Sequence, residues 1–324
     1  LEDPEVLLAL TQELTRRVES TPMAVRDDAD FFFNYLESPY RPIGDFDERE
    51  YFLGEFALLA GGSSRLLFRR EEARTWLDRA EAYFVQCAGA GTHAVRVAYQ
   101  RLGLAIEERR FEQIFELAPL WAQSALRLGM IEESLKCRLL LALALQESNR
   151  ASDAVREFEQ IRRQASKNKS ARLEAIAVNN LALLYGSLGR LEEAVDAARE
   201  AFPMLTAIDN QVGLAKLRWY MGNVLREQGK LGESLEAYRA AREAAEQVGL
   251  RGDVAAIHLI TGDLLLDMGM DAQAEWEVRA ALPIIDEEQM VPEGFAALTL
   301  LRESLRRRKL DRGALRTLHG YFQE

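Results

Sequence analysis

An all-α solenoid of antiparallel helix pairs is the fold class this sequence predicts, and three registers with one period predict it. Counting from each expected turn, the position five residues on reads Ala73, Ile114, Ala154, Ala194, Ser234, Ala274 and Ala314, at spacings of 41, 40, 40, 40, 40 and 40. The position seven residues before the turn reads Gly61, Leu102, Ala142, Ala182, Gly222, Gly262 and Arg302. The position twelve after it reads Ala80, Trp121, Ile161, Ala201, Ala241, Ala281 and Tyr321. Small residues dominate where two helices of a hairpin cross closely, because a bulky side chain there would force them apart. A fixed period of 20–50 residues is the sequence signature of a repeat architecture.

At the N-terminus, Asp3-Pro4 supplies an acceptor side chain at a helix cap and proline in the first turn. Val6, Leu7, Leu10, Leu14 and Val18 then form an apolar stripe at helical spacing. Ser20-Thr21-Pro22 ends that helix and opens another, which runs to about Glu37 and carries the aromatic cluster Phe31-Phe32-Phe33. That cluster is expected to cap the apolar end of the first repeat, with a self-association or partner surface as the rival. Ser38-Pro39 and Arg41-Pro42 break the chain, since a residue preceding proline is pushed out of the α region. Residues 1–46 therefore read as N-terminal helices capping an array, and 47–324 as seven hairpins of about 40 residues with turns near 69, 109, 149, 189, 229, 269 and 309. Pro203 and Pro283 fall near the end of expected second helices, where proline costs ~3 kcal/mol, so a kink or an early end is expected. Pro119, four positions earlier in its repeat, should bend its helix more centrally.

Gly222, Gly229, Ser234 and Ala241, and likewise Ala182, Gly189, Ala194 and Ala201, resemble the tetratricopeptide repeat motif. The usual repeat of that family is shorter, at 34 residues, so helices or inter-repeat loops are expected to be longer here. Repeats of this length are similar to those of kinesin light chains and of bacterial regulators. The resemblance implies a right-handed superhelix whose concave groove, lined by the first helix of each pair, holds an extended segment of a partner. The positions it places in that groove are Arg96 and Tyr99; Lys136, Leu139, Leu143 and Gln146; Asn179, with Asn180 beside it, and Leu183; and Lys216, Trp219, Asn223 and Arg226. Asparagine can pair with both the N–H and the C=O of a peptide backbone. Aromatic rings offer apolar area, and Lys or Arg can hold carboxylates, so acidic segments are the favoured partners. Leu259, Asp263, Leu266 and Asp267 reverse the sign of the lining farther on. Only Lys216 and Asn180 match the family's carboxylate clamp, which puts a chaperone-tail function in doubt.

Composition narrows the alternatives. A net charge of −11 argues against direct nucleic-acid binding, which needs a surplus of Lys and Arg. Cys87 and Cys137 form no disulfide framework, and a reducing cytoplasm is the simpler setting. No apolar run approaches the ~20 residues of a membrane helix. There is no GxxxxGK[ST], HExxH, GxSxG or CxxC, so no enzyme, cofactor or metal is expected. Gly61-Gly62-Ser63-Ser64 falls on the small-residue register and reads as helix packing rather than a phosphate loop. His93, His258 and His319 are isolated, and Asp45-Phe46-Asp47-Glu48 reads as helix capping rather than a calcium loop. Cys137 reads as a core residue despite Lys136 beside it. The basic run from Arg302 to Arg316 reads as a solvated face, with a docking patch as the alternative. A chain that starts at Leu1 rather than Met is expected to be the sensor or scaffold part of a larger bacterial regulator. The alternative is a freestanding sensor of a ligand or signal peptide that changes superhelical pitch.

Overall fold

The computed structural model describes residues 3–38 apart from 19, residues 48–288, and 290, 294, 296–301 and 303. Among them are fourteen bounded helices and no strand. The first four are α1 (Pro4–Arg17), α2 (Pro22–Glu37), α3 (Arg49–Leu66) and α4 (Arg70–Phe84), followed by α5 (Ala90–Glu107) and α6 (Phe111–Arg127). Next come α7 (Ile131–Glu147), α8 (Ala151–Lys167), α9 (Ala171–Ser187) and α10 (Leu191–Ala207). The last four are α11 (Gln211–Glu227), α12 (Leu231–Gln247), α13 (Arg251–Asp267) and α14 (Asp271–Glu287). Residues 296–301 are helical again. The turn near 309, the basic run beyond 303, His319 and Asp45 to Asp47 lie outside the described residues.

From α6 to α14 every helix has 17 residues and a new one begins every 20. The connectors within and between hairpins are thus equally short, and the length added to the usual repeat goes into helix rather than loop. One backbone device ends the helices. A left-handed residue occurs after the helix at Phe68, Arg109, Gly129, Asn149, Lys169, Gly189, Asp209, Gly229, Gly249 and Gly269. The amide after it reaches back to a carbonyl of the last helical turn, as in Arg110 N to Ala105 O at 2.8 Å and Arg190 N to Tyr185 O at 2.8 Å. Asn149, Lys169 and Asp209 show that glycine is preferred there but not required. Side-chain capping is confined to a few starts, such as Asp3, which accepts from Glu5 N at 2.9 Å, and Asn210, which accepts from Gly213 N at 2.9 Å.

The small-residue registers are the hairpin cores. Ala73, Ile114, Ala154, Ala194, Ser234 and Ala274 are all fully buried. Pro119, Pro203 and Pro283 do not end their helices early: α6, α10 and α14 run through them to full length. All three prolines are exposed. A residue four positions earlier shares the same face, so the carbonyls of Phe115, Arg199 and Arg279, which lose their usual donor, can turn to water.

The chain divides into two compact units, Leu1–Leu173 and Glu174–Glu324. In the first, Phe33 of α2 is fully buried, edge-on to Trp76 at 5.0 Å and to Tyr83 at 5.8 Å, while Phe32 stacks on Phe56 at 5.5 Å. The second and third phenylalanines of the cluster therefore close the open side of the α3–α4 pair, and Phe31 stays exposed. In the second unit, Tyr238 and a run of alanines from α12 pack against Val254, Ile257, Leu264 and Leu265 of α13.

Candidate functional site

In the first unit α5 packs beside α3 and α7. Arg96 of α5 is given over to α3: its Nη2 lies 2.9 Å from Oε2 of Glu55, a buried carboxylate. Burial opposes the charge of Arg96, but the Glu55 hydrogen bond and charge hold its pKa above the ordinary value. Tyr99 packs against the core around Leu102, Ala122 and Leu140. Lys136 pairs within its own helix, with Nζ 2.9 Å from Glu132 Oε1. All three are thus engaged by the protein itself.

The other six expected residues lie in the second unit, on α9 and α11. Asn179 is buried and its Oδ1 meets no protein hydrogen-bond partner. Asn180 donates from Nδ2 to Ile176 O at 2.8 Å, one turn back in its own helix. Trp219 packs against the α12–α13 core, and its Nε1 is closed off without a protein acceptor. Asn223 accepts from the Tyr238 hydroxyl at 2.7 Å, which makes it a structural partner of a fully buried ring. Lys216 Nζ stands 3.9 Å from Asp253 Oδ2, and Arg226 Nη2 stands 2.7 Å from Asp263 Oδ2 with Asp267 on its other side. The cations of α11 are therefore answered by carboxylates of α13. The excess positive charge that favoured acidic segments is compensated, because 253, 263 and 267 are one repeat on and the first helices lie side by side.

Two features of this unit were not read from the sequence. Gly186 of α9 faces Tyr220 of α11 so closely that a Cβ on the glycine would overlap the tyrosine hydroxyl. A glycine outside the small-residue registers was the available signal. The second is a buried polar triad: His258 Nδ1 lies 2.5 Å from Glu277 Oε2, and Arg242 Nη1 reaches the same carboxylate at 3.0 Å and 3.2 Å. Nothing in the spacing of His258 to Glu277 announces it, since the contact runs between two helices.

Gly61 to Ser64 lie in the interior of α3, with both serines fully buried, so no loop is present to cradle a phosphate. Among the described residues no three His, Cys, Asp or Glu side chains gather as a metal site, and no helix is long and apolar enough to cross a membrane. Burial, reinforced by Glu133, pushes the Cys137 thiol up to about 12 against the opposing pull of Lys136. The thiolate is the reactive form. Cys137 should therefore resist alkylation at pH 7.5 in the folded protein and react within minutes in guanidinium, read by intact mass.

The tetratricopeptide repeat profile matches residues 175–206, which hold most of α9 and all but the last residue of α10. A search of curated protein sequences finds no match. Among solved structures the chain is similar to the apo form of the quorum sensor NprR from B. thuringiensis, with a TM-score of 0.63 at 14% identity over 91% of this chain and 82% of that one. It is similar to the Rap conjugation gene regulator of plasmid pLS20, solved with the Phr* peptide, with a TM-score of 0.58 at 13% identity over 99% and 97%. Aspartyl phosphate phosphatase F from Bacillus subtilis gives 0.51 at 14% identity over 95% and 89%. The chain shares the helix-pair solenoid fold of these proteins, and one stretch of it matches the tetratricopeptide repeat. Identities this low carry the fold and not the chemistry, so the site must be argued from its own side chains. In this repeat protein, Asn179 and Trp219 hold equivalent positions one repeat apart, and both leave a buried polar atom unpaired.

Proposed function

We propose that this repeat protein is the peptide-binding sensor or scaffold part of a bacterial regulatory protein, and that it takes an extended segment along the first helices α9, α11 and α13. The observation that carries the reading is the pair of orphaned polar atoms at equivalent positions, Asn179 Oδ1 and Trp219 Nε1. A buried polar group without a partner costs about 1–3 kcal/mol, and an extended peptide offers both the N–H and the C=O that these two groups lack. A protein of the same fold is solved with a peptide, which supports the reading.

The partner this surface suits is less acidic than Lys216 and Arg226 alone imply, since Asp253, Asp263 and Asp267 compensate them. In this proposal Asn223 acts by holding Tyr238. The reading places the chain in the cytoplasm and gives it no catalytic role, cofactor or nucleic-acid contact. Burial holds both cysteines toward the thiol form, Cys137 the more strongly, and the buried His258 is engaged by Glu277.

The test is selection of a random hexapeptide library against the full chain, followed by titration of the recovered peptides. Trp219→Ala should weaken binding by about 2 kcal/mol or more, as truncation of a central aromatic does. Trp219→Phe, which keeps the ring's packing, should lose less. A library that yields no saturable binder, or binders indifferent to Trp219→Ala, overturns the proposal.

A further inference from the structure

Tyr220 is a neighbour of Trp219 in sequence, but it reaches the opposite flank of α11. Its ring lies against α9 at Gly186, and a Cβ there would overlap the phenol at Oη, Cζ and Cε2. The hydroxyl is closed off from solvent and meets no protein hydrogen-bond partner. A tyrosine hydroxyl that is buried usually finds a partner, because stripping it of water otherwise costs stability. Phenylalanine would fill the same space without that cost, so the oxygen is unexplained by packing. The bare face of Gly186 is equally unexplained, since glycine inside a helix is itself unfavourable by about 1 kcal/mol relative to alanine.

We propose that Tyr220 is a resting hydrogen-bond donor for the ligand: its hydroxyl serves a main-chain carbonyl of the bound peptide at the seam of α9 and α11, and Gly186 is the seat that holds it meanwhile. This rests on the peptide reading above and names a residue of that same site. With no hydrogen bond to break, the phenol leaves its seat at the expense of packing contacts alone. Two dihedral angles are enough to swing it, so little conformational freedom is lost on binding. Burial, together with the charge of Glu227, pushes the Tyr220 hydroxyl up to about 12, so it keeps the proton it would donate. The same nearby Glu227 disfavours a carboxylate as the acceptor, which leaves a neutral amide carbonyl. On α9, Asn179 Oδ1 is a buried acceptor without a donor. An extended peptide backbone supplies both complements, whereas a simple carboxylate or phosphate supplies only one.

The experiment has a ligand-free arm and a ligand arm, both on the full chain. In the absence of peptide, Tyr220→Phe should raise Tm by about 2–4 °C, because it deletes an unsatisfied buried hydroxyl. A fall in Tm means the hydroxyl is already satisfied and overturns the proposal. In the ligand arm the probe is the tightest hexapeptide selected on the parent chain, together with its amide-to-ester analogues, each of which weakens one carbonyl as an acceptor. Tyr220→Phe should lose about tenfold in affinity, the worth of one hydrogen bond. One ester analogue should bind the parent more weakly than its amide form yet bind Tyr220→Phe equally well. Gly186→Ala, which evicts the ring from its resting seat, should lower the Tm of the free chain. Because the seat is empty in the complex, the same change should leave affinity unchanged or raise it, and a loss of affinity overturns the resting-seat arrangement. A selected peptide indifferent to Tyr220→Phe, or one with no ester position coupled to it, overturns this inference and leaves the peptide reading standing. A library without a binder removes both.

Discussion

Gly222→Leu is expected to destabilise the second unit by about 3 kcal/mol, at the upper end of what overpacking a close-packed core costs. Gly222 lies where α11 crosses α12, and even a Cβ there would overlap the ring of Tyr238 at Cδ1 and Cε1. Tyr238 has nowhere to go. It is fully buried, its hydroxyl is tied to Asn223 Oδ1 at 2.7 Å, and Ser234 Oγ donates to the Gly222 carbonyl at 2.8 Å from the same helix. Alanine at 222 should also destabilise, although it is the better helix former by about 1 kcal/mol, because the clash outweighs the propensity. Glu192→Ala, on an exposed position at the start of α10, should be nearly silent. Urea melts followed by circular dichroism measure all three. Equal midpoints for Gly222→Leu and Glu192→Ala would remove the close-packed register as the organising feature of the repeat.

The second large effect is expected at Glu277. Its carboxylate is buried among α12, α13 and α14 and is shared by His258 Nδ1 and Arg242 Nη1. Glu277→Gln should cost about 3 kcal/mol, because it leaves the largely buried Arg242 with only the exposed Glu246, 3.7 Å from its Nε, as counter-charge. Glu236→Gln, which breaks an exposed pair with Arg239, should cost little. The pH dependence has a definite sign. Burial alone would raise the Glu277 pKa, but the His258 hydrogen bond and the Arg242 charge overcome it and hold the carboxyl below the ordinary value. A carboxyl depressed in the folded state contributes stability that is complete above its unfolded value, near pH 4.3, and is lost as pH falls through the folded value. The gap between parent and Glu277→Gln should therefore be constant above about pH 5 and shrink below pH 4. A gap that widens with acid would contradict the arrangement.

Much of the candidate site was legible in the sequence, but not the state of its side chains. The repeat register places Asn179, Trp219 and Lys216 on first helices because position within a 40-residue period fixes which face a residue takes. Whether such a residue is available to a ligand depends on what stands opposite it. Asn223 and Arg226 look like a free amide and a free cation in sequence, yet one holds Tyr238 and the other lies between Asp263 and Asp267. Tyr220 has no distinguishing neighbour in the chain. Its interest comes from Gly186, 34 positions away on another helix.

The sequence by itself determined the all-α class, the period, the turn positions from 69 to 269 and the small residues at the hairpin crossings. Each of these follows from local backbone preference or from a repeat that brings the same residue type to the same contact. The tertiary structure alone decided three things. It put the added repeat length into 17-residue helices rather than loops, and it carried α10 and α14 through their prolines because those rings face solvent. It also sorted the polar residues of the first helices into paired and unpaired. A hydrogen bond or a steric overlap between helices is set to within an ångström by how they pack, and no spacing along a single chain encodes that distance.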